Sequence, residues 1–202
     1  MTLTILILTH KRPKLFQRCL ESALKNIPNN VEIIVNNDSN DIEEIQHSQV
    51  QYFYENPECL SDKYKFILDK AKGEHIYYLE DDDYLVPNFY SVVMPVLNHD
   101  LIAGNYIPTW NNGWVLRCAR SMSDGIDLQC DELQLSQFIM RRSLAQSWKF
   151  PKDSHIHNDR LLVQHVYSLA SSTININKVL YYQTTDGGDN ISFPESKNYY
   201  GI

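Results

Sequence analysis

Apolar and polar positions follow two different periods along residues 1–100. Continuous apolar runs are typical of strands buried on both faces, whereas apolar residues at helical spacing predict amphipathic helices. The predicted strands are Thr4–Thr9, Val31–Val35, Val50–Tyr54 and His75–Leu79. The predicted helices are Pro13–Leu24, Leu60–Ala71 and a segment opened by Pro87. This alternation predicts an α/β fold with a mostly parallel sheet covered by helices.

The remaining residues are less regular and predict a mixture of elements. The turn signal Asn111-Asn112-Gly113 lies between the apolar stretches 101–106 and 114–120 and predicts a hairpin. Further predicted elements are helices over Leu133–Leu144 and Asp159–Ala170, a strand over Thr173–Gln183 and a polar loop from Thr184. No linker interrupts the pattern, so we expect one domain over residues 1–202.

Composition narrows the possible partners. The chain has 18 basic and 25 acidic residues, a net charge of -7, which argues against general binding of nucleic acid. The four cysteines include no CxxC pair, so we expect reduced thiols in a cytoplasmic protein rather than a zinc site. No signal peptide and no transmembrane stretch is predicted, which favours a soluble protein, by itself or as one domain of a larger one.

Three polar clusters follow predicted strands: Thr9–Arg12, Asn36–Asp41 and Glu80–Asp83. Ligands bind beyond the carboxyl ends of strands in open parallel sheets, so we expect these clusters to converge on one site. Consecutive carboxylates such as Glu80–Asp83 suit Mg²⁺ or Mn²⁺, although a solvated acidic turn would show the same pattern. Neither GxGxxG nor GxxxxGK[ST] occurs, which disfavours a Rossmann dehydrogenase and a P-loop enzyme.

Four segments in a fixed order resemble the family 2-like glycosyltransferases of the GT-A fold. Segment 5–13, ILILTHKRP, is similar to the family's strand followed by T-y-N-R-P, and segment 15–22, LFQRCLES, to L-x-x-C-L-x-S. Segment 33–41, IIVNNDSND, resembles I-V-D-D-G-S-T-D. Segment 71–83, AKGEHIYYLEDDD, resembles A-x-G-E-y-i-x-x-L-D-x-D-D and is the most specific of the four. The chain also resembles glycosyltransferase domains of large algal DNA viruses.

The resemblance implies a Rossmann-like GT-A fold, with residues 1–100 binding a nucleotide sugar and 101–202 binding the acceptor. It implies a metal-dependent, inverting transfer of a hexosyl or deoxyhexosyl group from a nucleotide sugar, with UDP favoured, to a glycan or glycoconjugate hydroxyl. The implied nucleotide-sugar residues are Thr9, Arg12, Asn36, Asn37, Lys63, Glu80 and Asp81. The implied ligands of Mn²⁺ or Mg²⁺ are Asp82 and Asp83, although the register of this motif can shift by one. Asn36 and Asn37 replace the family's aspartates, which leaves a cytidine donor open.

The catalytic base implied by the resemblance is Asp159. The segment 157–162, HNDRLL, resembles the family's E-D-x-x-L, with Asn158 in place of the glutamate. Asp159 would take the proton from the acceptor hydroxyl, although a carboxylate at this position also stabilises a helix N-terminus. Trp148 and His157 are candidates for contacts with the acceptor, and Trp148 is equally well explained as a core residue.

Two other functions remain open at this point. A sugar nucleotidyltransferase also combines an α/β sheet with a carboxylate-bound metal, but segment 10–13, HKRP, lacks the expected glycines. A domain that binds a nucleotide sugar or a glycan without turnover is compatible with the asparagines at positions 36, 37 and 158.

Overall fold

The computed structural model of the protein describes residues 1–39, 41–57, 59–109, 134–151 and 158–184, with only the backbone at 158 and 159. The strands are β1 Leu3–Thr9, β2 Val31–Asn37, β3 Val50–Phe53, β4 His75–Tyr78, β5 Tyr84–Leu85, β6 Leu101–Thr109, β7 Phe138–Arg141 and β8 Thr173–Thr184. The helices are α1 Pro13–Leu24, α2 Leu60–Lys70, α3 Phe89–Val93, α4 Arg142–Gln146 and α5 Asn158–Leu169. Single 3₁₀ turns span Met94–Val96 and Leu135–Gln137.

The described strands form one sheet in the order β3-β2-β1-β4-β7-β6-β8-β5. The four adjacent strands β3, β2, β1 and β4 are parallel to one another, and β6 is parallel to β8. Strand β7 is antiparallel to β4 and β6, and strand β5 is antiparallel to β8. Strands β1, β2, β3, β4, β6 and β8 therefore all point the same way. We call the edge where they finish the carboxyl edge of the sheet.

Helices cover both faces of the sheet and divide its core in two. On one face, α1 and α3 bury Phe16, Leu20 and Phe89 against the sheet. On the other face, α2, α4 and α5 bury Ile67 and Val163, among others. This arrangement follows from the sequence, because the residues of β1 and β2 are apolar on both sides of the strand. The mixed α/β sheet with helices on both faces agrees with the expected GT-A architecture.

The predicted helix over Leu133–Leu144 is wrong. Its described part forms a 3₁₀ turn, the strand β7 and the short helix α4. The cause is the short apolar run Phe138-Ile-Met140, whose side chains are all buried. Such a run is compatible with either a buried strand or a helix. Here the run lies between β4 and β6 and pairs with both, which decides in favour of the strand.

Most other predicted elements are confirmed, with shifts of a few residues at their ends. The helix after Pro87 begins at Phe89, and the predicted helix at Asp159 and strand at Thr173 are α5 and β8. The predicted hairpin turn at 111–113 and the polar tail beyond Thr184 lie outside the described residues. No described helix is long and apolar enough to span a membrane.

Candidate active site

The carboxyl edge brings together the three polar clusters that follow β1, β2 and β4. Thr9 at the end of β1 pairs in register with Asn37 at the end of β2. The backbone N–H of Leu79 donates to Leu6 O at 2.9 Å, which keeps the chain leaving β4 beside β1. A salt bridge from Arg12 then reaches the acidic loop after β4. The predicted convergence of these clusters is therefore present in the fold.

The acidic loop, Glu80–Asp83, is folded inward rather than spread into solvent. Asp81, Asp82 and Asp83 are all buried. Arg18 Nη2 donates to the backbone oxygen of Asp82 at 2.6 Å, and the hydroxyl of Thr184 donates to the same oxygen at 2.5 Å. A solvated acidic turn, the alternative explanation of this sequence pattern, does not bury its carboxylates.

One guanidinium nitrogen joins two of these carboxylates. Arg12 Nη1 donates to Asp81 Oδ1 at 3.1 Å and to Asp82 Oδ2 at 3.0 Å. The side chain of Arg12 is only 9% exposed, so little water screens the contact. Two carboxylate oxygens within bonding distance of a single nitrogen form a small anionic site that faces one cation.

Asp83 has a different environment from its two neighbours. Its Oδ1 accepts a hydrogen bond of 2.9 Å from the backbone N–H of Thr184, the last residue of β8. The carboxylate is therefore turned toward the interior and fastens the acidic loop to β8. Of the two metal ligands expected from the sequence, Asp82 lies at the Arg12 contact, and Asp83 points away from it toward β8.

Burial makes these carboxylates unusually easy to protonate. Burial raises the pKa of Asp81 to about 6, against the opposing charge of Arg12 and with a further contribution from Asp82. Burial also raises the pKa of Asp82, partly offset by Arg12, and raises that of Asp83 well above its ordinary value. Cys19, whose thiol donates to Glu80 O, has a raised pKa because it is buried beneath the same charges. Loss of solvation is therefore the main cost of keeping the loop ionised.

The two asparagines at the end of β2 have different partners. Asn36 donates from Nδ2 to Glu55 O at 2.9 Å and accepts from Glu55 N at 3.1 Å, so both ends of its amide are bound to the backbone of Glu55. Asn37 accepts through Oδ1 from the backbone and side chain of Ser39, while its buried Nδ2 has no partner among the described residues. Asn37 therefore keeps a donor for a ligand, and Asn36 fixes the segment after β3.

Lys63 lies in an ionic cluster with Asp38 and His10. The ammonium of Lys63 and the ring of His10 contact the two carboxylate oxygens of Asp38, whose side chain is 4% exposed. Burial alone would raise the pKa of Asp38, but the hydrogen bonds from Lys63 and His10 hold it below its ordinary value. The cluster joins the loops after β1 and β2 to α2, so it places Lys63 at the carboxyl edge with its charge partly neutralised.

Thr9 and Asp81 each present an atom suited to a ligand. Within the described chain, neither Thr9 Oγ1 nor Asp81 Oδ2 has a hydrogen-bond partner of good geometry. The Thr9 hydroxyl nevertheless lies close enough to lower the pKa of Asp81. Buried polar atoms without partners are rare and often mark a missing water, ion or ligand.

The start of α5 lies at the same edge of the sheet. The backbone N–H of Ser171, just after α5, donates to Asp100 Oδ2 at 2.8 Å, and Asp100 precedes β6 at the opposite edge. Because α5 runs between the two edges, its first turn, with Asp159, lies toward the carboxyl edge. The side chain of Asp159 and the whole of His157 lie outside the described residues.

Trp148 is placed on the flank of the helical layer. Its ring contacts the ring of His165 on α5, with centroids 5.0 Å apart, and it packs partly buried against the second core. His165 is six residues along the helix from Asp159, which corresponds to about 9 Å of helix rise. Trp148 therefore packs beside the middle of α5 rather than beside its first turn.

A divalent cation fits the pair formed by Asp81 and Asp82. In the part of the chain that is described, no group of three or more His, Cys, Asp or Glu residues is arranged to hold a metal. Mg²⁺, however, is often held by one or two carboxylates and completes its shell with phosphate oxygens and water. The two adjacent carboxylates of Asp81 and Asp82, which already share one cationic nitrogen, satisfy this requirement.

Sequence reasoning overlooked several residues that build the site. Arg18 and Thr184 support the acidic loop, and Asp38 and His10 hold Lys63. Asp38 and His10 stand within the predicted polar clusters, so their position was available from the pattern, but their pairing was not. No sequence signal pointed to Thr184, which lies 101 residues from Asp83 in the chain.

Comparison with known proteins gives one family and a set of similar structures. The sequence profile described as "Glycosyl transferase family 2" matches residues 4–154. The structure of S. aureus TarS 1–349 in complex with UDP-GlcNAc has a TM-score of 0.74 and 19% identity, covering 95% of this chain and 61% of that one. The complex of the same protein with UDP has a TM-score of 0.68 and 18% identity, covering 94% and 62%.

The chain therefore spans about 60% of the length of the TarS 1–349 structures it matches. At this level of identity the likeness shows the fold alone. No curated protein matches the chain.

The raised pKa of Asp81 predicts a pH dependence of stability. Between about pH 4 and 6 the folded protein retains a proton that the unfolded chain has released, so this group lowers stability as pH rises through that window. The free energy of unfolding of wild type and of Asp81→Asn can be measured in urea with chelator present. The wild-type value minus the variant value should fall by about 2 kcal/mol from pH 4 to pH 7. Asp69→Asn, on the exposed surface of α2, is the control and should show no such trend. A difference that stays constant or rises with pH would contradict the assignment.

Proposed function

The chain belongs to glycosyl transferase family 2, and from that premise we propose that it transfers a sugar from a UDP-sugar to a hydroxyl of a glycan or glycoconjugate with the help of Mn²⁺ or Mg²⁺. The observation that carries this proposal is the buried pair Asp81 and Asp82, held by Arg12 at the carboxyl edge of the sheet. In this arrangement residues 1–100 hold the donor, and residues 101–202 supply the acceptor side.

The nucleoside is proposed to bind between the ends of β1 and β2. Asn37 keeps a buried donor without a partner among the described residues, and it pairs in register with Thr9, whose hydroxyl lies beside Asp81, at the carboxyl edge. Asn37, with a free donor, suits an oxygen of the base; the amide of Asn36 is taken up by Glu55 and supports the wall of the pocket. Glu80 follows β4 directly, next to this pocket, and is proposed to contact the ribose. The UDP and UDP-GlcNAc bound to TarS favour a uridine donor.

The diphosphate is proposed to bind over the acidic loop. Asp82, with Asp81 beside it, would hold the cation, which neutralises charge on the departing diphosphate when bound. Asp83, which was the other metal ligand expected from the sequence, accepts from the backbone of Thr184 and is proposed to hold the loop to β8. The guanidinium of Arg12 and the ammonium of Lys63 lie on neighbouring loops and supply positive charge for the phosphates.

The acceptor hydroxyl is proposed to lose its proton to Asp159. The first turn of α5 lies toward the carboxyl edge, the edge at which the donor is proposed to bind, and this supports the role proposed for Asp159. The oxygen then attacks the anomeric carbon as the bond to the diphosphate breaks, and one displacement inverts the configuration. His157 stays a candidate contact to the acceptor. Trp148 contacts His165, which lies about 9 Å of helix rise from Asp159, so it is proposed to contact only an extended acceptor.

Removal of the metal or of its principal ligand should abolish turnover. UDP release from a panel of UDP-sugars, with Mn²⁺ and with chelator, measures donor cleavage directly. Chelation and Asp82→Asn should each lower the rate by about 100-fold or more, because the charge on the leaving diphosphate is then uncompensated. Asp69→Asn is the matched control and should retain the rate. Undiminished, chelator-resistant cleavage in Asp82→Asn would contradict the metal assignment, and binding of UDP-sugars without cleavage by wild type would favour a non-catalytic domain.

Replacement of the proposed base should separate catalysis from binding. Asp159→Asn should lower sugar transfer to a glycan panel by about 100-fold or more, while the Kd for UDP with Mn²⁺ changes by no more than about twofold. Asp62→Asn removes a carboxylate from the first turn of α2, where it is the third residue and Asp159 is the second residue of α5, and it controls for a helix-dipole effect. If Asp159→Asn transfers sugar at the rate of Asp62→Asn, then Asp159 is not the base.

A further inference from the structure

The guanidinium of Arg12 stands where a cation shared by Asp81 and Asp82 would stand. A single nitrogen, Nη1, lies 3.1 Å from one carboxylate oxygen and 3.0 Å from the other. All three side chains are largely buried, at 9%, 6% and 11% exposure. A charge-assisted bridge of this kind between buried groups is much stronger than a surface ion pair. A metal ion that approaches these oxygens in the absence of a donor has to displace this contact.

The backbone aims Arg12 at the acidic loop. Lys11 has a positive φ of 53°, a left-handed conformation that turns the chain sharply after β1. Arg12 then caps α1, and its carbonyl accepts from the N–H of Phe16 at 2.9 Å. The backbone position is therefore fixed by the helix, whereas the long side chain of Arg12 can turn about its own bonds to a second anion nearby.

The other cations around the loop have different contacts. Arg18 donates to the backbone oxygen of Asp82 and to the hydroxyl of Thr184, so it supports the backbone of the loop. Lys63 is bound to Asp38. Arg12 donates to the carboxylates of both Asp81 and Asp82, so its movement would make both available to an incoming cation.

Resting on the function proposed above, we infer that Arg12 sets the order of binding: it withholds the two carboxylates from the metal until a diphosphate arrives. The diphosphate presents several anionic oxygens that accept from a guanidinium in the same planar geometry as a carboxylate. Once Arg12 turns to the diphosphate, Asp81 and Asp82 are released to the cation. The donor and the metal therefore bind together, and neither binds tightly alone.

This order of binding is a coupling free energy between two ligands, and such coupling is reciprocal. UDP should tighten the binding of Mn²⁺, and Mn²⁺ should tighten the binding of UDP by the same factor. Part of this factor comes from direct contact between metal and diphosphate, and that part survives any change at position 12. The part contributed by Arg12 arises because Arg12 weakens the binding of Mn²⁺ when no nucleotide is present. It is therefore measured by how much the removal of Arg12 raises the Mn²⁺ affinity of the nucleotide-free protein.

The test is a titration of Mn²⁺ alone into the nucleotide-free protein, followed by the electron paramagnetic resonance of free Mn²⁺, at about pH 8 so that Asp81 is ionised. Arg12→Gln and Arg12→Met remove the guanidinium, the second with a side chain of similar shape. Both should bind Mn²⁺ about tenfold or more tightly than wild type, as expected for the loss of charge-assisted hydrogen bonds. With UDP present, the gain in Mn²⁺ affinity that UDP produces should be smaller in these variants than in wild type.

Lys14→Gln removes one positive charge from the exposed start of α1 and is the matched control, which should bind Mn²⁺ as wild type does. If folded Arg12→Gln and Arg12→Met bind Mn²⁺ no more tightly than wild type, while wild type binds Mn²⁺ in the presence of UDP, the inference is overturned and the proposed function stands. If wild type takes up no Mn²⁺ even with UDP, the metal-dependent function falls, and this inference falls with it.

Discussion

Three consecutive aspartates are buried at the end of β4, and the fold around them is arranged to hold their charge. Burial raises the pKa of each, because a charged carboxylate loses solvation inside the fold. Arg12 supplies one positive charge to two of the carboxylates. The third accepts from the backbone of β8. The function proposed above gives the first two carboxylates a second possible partner, a divalent cation that takes the place of Arg12.

The topology explains why these groups meet at all. Parallel strands end at a common edge, so the loops after β1, β2 and β4 converge even though they are separated by dozens of residues. Strand β8 then runs parallel to β6 and delivers Thr184 under the acidic loop. Helix α5 approaches from the other face with its first turn at the same edge. The residues proposed to bind the donor and the residue proposed as the base thus share one edge of the sheet, although they come from different halves of the chain.

The sequence predicted the framework better than the pairings within it. A run such as Thr4–Thr9, which is apolar on both faces, predicts a buried strand. The run Phe138–Met140 is short enough to be compatible with a strand or a helix. The acidic loop was predicted as the site from its position after β4. The inward turn of Asp83 and the pairing of Asn36 with Glu55 depend on contacts across the fold, and no local pattern reports such contacts.

On this view the Arg12 guanidinium and a divalent cation alternate at the same two carboxylates. A crystal structure of the protein with UDP and Mn²⁺, using the anomalous signal of manganese, would locate both groups at once. We expect a manganese peak within about 2.5 Å of an oxygen of Asp82, with Arg12 turned away from the carboxylates and onto the diphosphate. Manganese bound elsewhere, with the Arg12 bridge to Asp81 and Asp82 intact beside bound UDP, would contradict it.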